Sequence, residues 1–143
     1  MSEVRPSGLF YLHLQTSGAP GAPVLDLRLT VYTPKKQITG LAEVTQATNP
    51  PLDVKSHVTG DYTYETVIGQ GSKIRIDLQG WPELVWPVKG GIGPVVPENF
   101  YATLVLDTDY SEGEIHYGYR TGLTGAWHEV TQSVKAAALA KAA

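Results

Sequence analysis

The chain has 143 residues, 42% hydrophobic and 17% charged, with a formal net charge of −3 and no cysteine. This is the size of one domain, with enough burial for a core that needs no covalent staples. The lack of cysteine excludes disulfides, thiolate metal sites and cysteine nucleophiles, and the mixed, slightly negative charge disfavours nucleic acid and acidic membranes as partners. No stretch approaches eighteen uninterrupted apolar residues, so no membrane helix is expected. Residues Met1 to Ser7 include Glu3, Arg5 and Pro6 and lead into no long apolar run, which is not a signal-peptide pattern. The expectation is a soluble, cytoplasmic chain.

Glycines and prolines are spread along the chain and punctuate short runs rich in Val, Ile, Leu, Tyr and Thr, the pattern of many short strands. In Leu9 to Gln15, Phe10, Leu12 and Leu14 share one face, and Tyr11, His13 and Gln15 the other. After a Gly/Pro loop from Ser17 to Pro23, Val24 to Thr33 alternates Leu25, Leu27, Leu29 and Val31 against Asp26, Arg28, Thr30 and Tyr32. Pro34-Lys35-Lys36 turns the chain into a third run, where Ile38, Gly40, Ala42 and Val44 face one way. The small pair Gly40 and Ala42 marks a place of close packing. Asn49-Pro50-Pro51 is a stiff connector. Val54 to Glu65 is a long strand with Gly60 as a bulge or bend, and Gly69-Gln70-Gly71-Ser72 turns it into Lys73 to Gln79.

Gly80 to Asn99 breaks the pattern with four prolines and four glycines. A loop of this length in a compact domain is often functional. Phe100 to Asp107 and Glu114 to Thr121 then form a hairpin. From Glu129 to Ala142 the chain has no Gly or Pro and is alanine-rich, which predicts a helix with a thin stripe of Val130, Val134, Ala137 and Ala138. A lone helix of this length is marginal in water and needs a surface to dock on. The fold expected is all-β: an antiparallel β-sandwich of seven or eight strands, with a closed barrel as the alternative, over residues 1–128, followed by a C-terminal α-helical tail over 129–143.

Little in this pattern asks for catalysis. His13, His57 and His116 fall on the polar sides of their strands, and no two histidines have metal-ligand spacing. Asp107, Asp109, Glu112 and Glu114 cluster in a predicted hairpin turn, where acidic residues are common for turn reasons alone. The glycine-rich pieces around Gly69 and Gly90 precede no helix and so lack the amides that hold phosphate. No cofactor or metal is expected. Trp81-Pro82 and Trp86-Pro87 are the distinctive feature: such indoles present faces to a partner, a sugar or an apolar ligand, or plug the open end of the domain. The Tyr62/Tyr64 and Tyr117/Tyr119 pairs read as packing along one strand face.

The segments TQATNPPLDVKSHVTGDYTY (Thr45 to Tyr64), GWPELVWP and GGIGPV resemble a bacterial family catalogued only as a domain of unknown function. The resemblance covers roughly Gly8 to Arg120. It implies a short, strand-rich domain of bacterial origin, and it offers no activity or catalytic residue to carry over.

The leading functional expectation is a non-catalytic structural or interaction protein that assembles into a homo-oligomer or filament. Its candidate interface residues are Trp81, Pro82, Trp86 and Pro87 in the loop, and Val130, Val134 and Leu139 in the tail. The alternatives are a small-ligand or glycan-binding module built on the Trp-Pro loop, and an enzyme inside a barrel that uses His57 or His116 with Asp61 or Glu114.

Overall fold

The computed structural model describes residues 8–17, 20–48, 51–67, 69, 71–82, 97–121 and 125–137. Eight strands form in chain order: β1 (Leu9–Ser17), β2 (Val24–Tyr32), β3 (Gln37–Gln46), β4 (Leu52–Val67), β5 (Gly71–Pro82), β6 (Phe100–Asp107), β7 (Glu112–Tyr119) and β8 (His128–Ala136). Each pairs antiparallel with its chain neighbours, and β8 returns to β1, so the sheet closes into an up-and-down barrel.

This corrects the sandwich expectation and bears out the barrel alternative. A sandwich needs strands that part into two sheets. Here each of β2 to β7 pairs with the strand before it and the strand after it, β8 pairs with β1, and one continuous coiled sheet results. Glycines permit the curvature. A Cβ on Gly40 would sit 2.1 Å from the Arg28 carbonyl oxygen, and one on Gly60 1.8 Å from that of Asp77. Neighbouring strands cross these points closer than any side chain allows, which is how a sheet turns a corner. The close packing expected at Gly40 is found. Gly60 is such a point too, and the β4–β5 register runs through it without an inserted residue.

The expected C-terminal helix is also corrected: residues 128–136 are strand. Two periods coexist in this stretch. Val130 and Val134 recur at helical spacing, but Val130, Gln132 and Val134 also alternate with Glu129, Thr131, Ser133 and Lys135. Tertiary context decides between them. The free edge of β7 offers eight paired positions and β1 offers four, and a helix would leave those backbone groups unpaired. The rest of the expected helix, 138–142, lies outside the described residues.

Eight strands enclose just enough space for side chains to fill. Leu27, Leu29, Ile74, Ile76, Leu104 and Ile115 are fully buried at its middle. β6 shows the alternation plainly: Phe100, Ala102, Leu104 and Leu106 point in, while Tyr101, Thr103, Val105 and Asp107 line the outer wall. One end is closed by aromatic rings, with Tyr110 edge-on to Phe10 at 5.2 Å and to Tyr62 at 6.2 Å. Tyr110 takes a left-handed backbone (φ 63°) in the β6–β7 turn, which swings its ring over this end. At the other end Phe100 stacks on Tyr117 at 6.1 Å. There the buried Asn99 acts as a clasp. It accepts from the Ser56 hydroxyl at 2.7 Å, donates to the Lys55 carbonyl at 3.2 Å, and its own carbonyl accepts from the Arg120 amide at 3.0 Å.

Candidate functional site

Among the described residues, the closure between β1 and β8 is the shortest ladder of the barrel. It runs only from Leu14↔Ala136 to Ser17↔Ser133, with one further bond from the Ala137 amide to the His13 carbonyl at 2.8 Å. The β1–β2 ladder, by contrast, extends back to Leu9↔Tyr32. The first half of β1 therefore has a partner on one side only among the described residues. Its outward side chains are apolar: Leu9 is 68% exposed and Tyr11 50%, and Tyr32 beside Leu9 is 40% exposed. Farther along the seam, Gln132 bridges the gap from inside. It accepts from the Tyr117 hydroxyl at 2.8 Å and donates to the Pro23 carbonyl at 2.8 Å.

The residues singled out from sequence are scattered. Trp81 and Pro82 end β5, half-buried, opposite His57 and Ser56 of β4. Val134 is in the core at 1% exposure, and Val130 packs against that core. Trp86, Pro87 and Leu139 lie outside the described residues. His57 and His116 stand on the outer wall of β4 and β7, so neither ring reaches the barrel interior. His116 instead contacts the Thr131 hydroxyl at 2.9 Å.

Two clusters escaped the sequence reading. Trp127 is 39% exposed, with the Tyr101 ring at 5.1 Å and the Arg120 guanidinium 4.9 Å from its centroid. Tyr101 lies flat over Gly118, where a Cβ would fall 2.3 Å from the ring. Burial, together with its hydrogen bond to Glu129, pushes the Tyr101 phenol up to about 12. The exposed Leu9 and Tyr11 had a signal in the sequence. Both are apolar residues on the side of β1 that its alternation assigns to solvent.

The outer wall of β2 to β4 carries a charged groove of about 270 Å³, with Asp26, Arg28, Glu43 and Lys55 among its lining residues. Asp26 accepts from Gln15 at 3.0 Å and Arg28 at 3.1 Å, and meets the His13 ring at 2.5 Å. Burial pushes its carboxyl up, but the contacts with His13, Gln15 and Arg28 outweigh that and hold it below its ordinary value. Across the sheet, Glu43 is raised by its hydrogen bond with Asp53, then by burial and by repulsion from Asp53 and Asp26. Each of these groups has a neighbouring charge as partner, and no group of three or more His, Asp or Glu is placed to hold a metal among the described residues.

The lowered Asp26 fixes the sign of a pH effect. A depressed carboxylate stabilises the fold above its unfolded value of about 3.9, and that contribution is lost as pH falls through the folded value. Asp26→Asn is expected to lower stability by about 1–2 kcal/mol at about pH 7 and by much less at about pH 2. Urea denaturation at both pH values checks this, and equal losses would contradict it.

Fold and outer wall together define a single-sheet antiparallel barrel whose interior is filled by its own side chains. The chain belongs to the family described as Domain of unknown function (DUF1842), whose model matches residues 7–127. The match covers β1 to β7 and stops one residue short of β8. No curated protein matches the chain.

Proposed function

We propose that this chain is a non-catalytic structural or interaction module that associates with copies of itself. The observation that carries the reading is the β1–β8 seam, where a strand edge without a partner among the described residues and the exposed Leu9, Tyr11 and Tyr32 occur together. Unpaired edges are templates for another strand, and soluble proteins usually blunt them with Lys, Pro or a bulge. Leu9 to Leu12 contain none of these residues. The packed interior is consistent with this reading, because it directs attention to the outer wall.

Light scattering over a wide concentration range tests the proposal. The expected result is a mass that rises above the 15.5 kDa of one chain as concentration increases. A mass that stays at one chain throughout would overturn it.

A further inference from the structure

We propose that residues 138–141, which lie outside the described ones, cover the remaining edge of β1 as a continuation of β8. This stands apart from the self-association reading and sets a condition on it. The register already runs in that direction. β8 pairs with β1 from Ser17↔Ser133 to Leu14↔Ala136, and the Ala137 amide donates to the His13 carbonyl at 2.8 Å. On the opposite side of β1 the Gly8 carbonyl accepts from the Thr33 amide of the turn after β2. By the alternation of an antiparallel ladder, the backbone groups of Gly8, Phe10 and Leu12 therefore face β2, and those of Leu9, Tyr11 and His13 face the β8 side. No described residue pairs with Leu9 or Tyr11 there. Continuing the register past His13 and Ala137 brings Leu139 opposite Tyr11 and Lys141 opposite Leu9.

The side chains agree with this occupant. Val130, Gln132 and Val134 take inward positions in β8. The same period of two assigns Ala138 and Ala140 to the inside, and Leu139 and Lys141 to the outer wall. Alanine adds little bulk to an end that Phe10 and Tyr110 already fill, their ring centroids 5.2 Å apart. Leu139 comes beside Tyr11, which is 50% exposed, and buries apolar surface against it. Lys141 comes beside Leu9, 68% exposed, where its aliphatic stem covers the leucine while its charge stays in water. These residues follow directly on a bonded position. Each adds to a ladder already in place, so no new loop has to close.

A consequence follows for association. With this edge covered, a second copy reaches β1 only when residues 138–141 lift from it. The cover therefore limits strand pairing between copies.

Amide hydrogen exchange by NMR, at about 50 μM, compares the whole chain with one shortened after Ala137. The Leu9 and Tyr11 amides are expected to exchange about tenfold or more slowly in the whole chain. The Phe10 and Leu12 amides, which face β2, are expected to stay protected in both. Leu139→Pro removes the amide that faces Tyr11 and is expected to release Leu9 and Tyr11 in the same way. It keeps the test decisive if the shortened chain does not fold. Equal exchange of Leu9 and Tyr11 in the whole chain and in Leu139→Pro would overturn the cover. So would protection that grows with concentration, which would assign the edge to a second copy. Light scattering on the same samples separates the two readings. The shortened chain is expected to move from one chain mass towards two at about tenfold lower concentration than the whole chain. If neither chain associates while the exchange difference holds, the self-association reading falls and the cover stands.

Discussion

Gly60→Ala is expected to destabilise the barrel by about 3 kcal/mol or more and to lower its melting temperature by roughly 10 °C. The added methyl would sit 1.8 Å from the Asp77 carbonyl oxygen, 2.9 Å from its carbon and 3.0 Å from Leu78. The obstacle is backbone, so no rotamer change relieves it. Nor can the backbone step aside freely, because β5 is held on both flanks: Asp77 is opposite Asp61 of β4 and Thr103 of β6. Relief requires β4 and β5 to move apart where their ladder is longest. Thermal unfolding of the variant measures the cost. A loss under about 1 kcal/mol would show that the two strands separate easily here and that the corner does not depend on glycine.

Tyr117→Ala is expected to cost about 3–5 kcal/mol, and Tyr117→Phe only about 1 kcal/mol. The ring is fully buried, stacked on Phe100 at 6.1 Å and 6.3 Å from Tyr119, so its removal leaves a hole that fixed strands cannot collapse into. The hydroxyl adds one bond to Gln132, and Phe retains the packing while losing that bond. Burial also pushes the Tyr117 phenol well above its usual value. For an acid with a raised value, the stabilisation is present below the unfolded value of about 10 and is lost as pH rises through the folded one. Tyr117→Phe should therefore flatten part of the alkaline loss of stability. Urea denaturation of both variants decides the matter: if Phe is as damaging as Ala, the hydroxyl bond and not the packing holds this end together.

Most of the barrel wall is legible in the sequence. β2 and β6 follow the period of two written in Leu25, Leu27 and Leu29 and in Phe100, Ala102 and Leu104. Polar-out alternation also places His13, His57 and His116 on the wall where they are found. Closure is harder to read, because it depends on which strands meet and not on which residues are strand. A two-sheet sandwich and a single closed sheet present the same alternation to a reader. Gly40 and Gly60 mark where the sheet curves, but their close approaches are to the neighbouring strands β2 and β5, and curvature alone does not name the strands that close the sheet. The tail was misread because alanine and lysine favour a helix locally, whereas the need of β7 and β1 for a strand between them is not local. The seam was missed for a related reason. Leu9 and Tyr11 stand out against the polar side of β1, but only the β1–β8 ladder shows that they border an edge with no partner among the described residues.

The order of the ladders also bears on how the chain reaches this state. Seven of the eight pairings join strands that follow one another in sequence. Each can form as a hairpin at the modest entropic cost of closing a connecting loop. The eighth joins the two ends of the described chain and is also the shortest among the described residues. Bringing those ends together carries the largest loop-closure cost for the smallest return in backbone bonds. The barrel is thus expected to zip up hairpin by hairpin as a curling open sheet and to shut last at β1 and β8. By the same reasoning that seam is the first to part when the native state fluctuates.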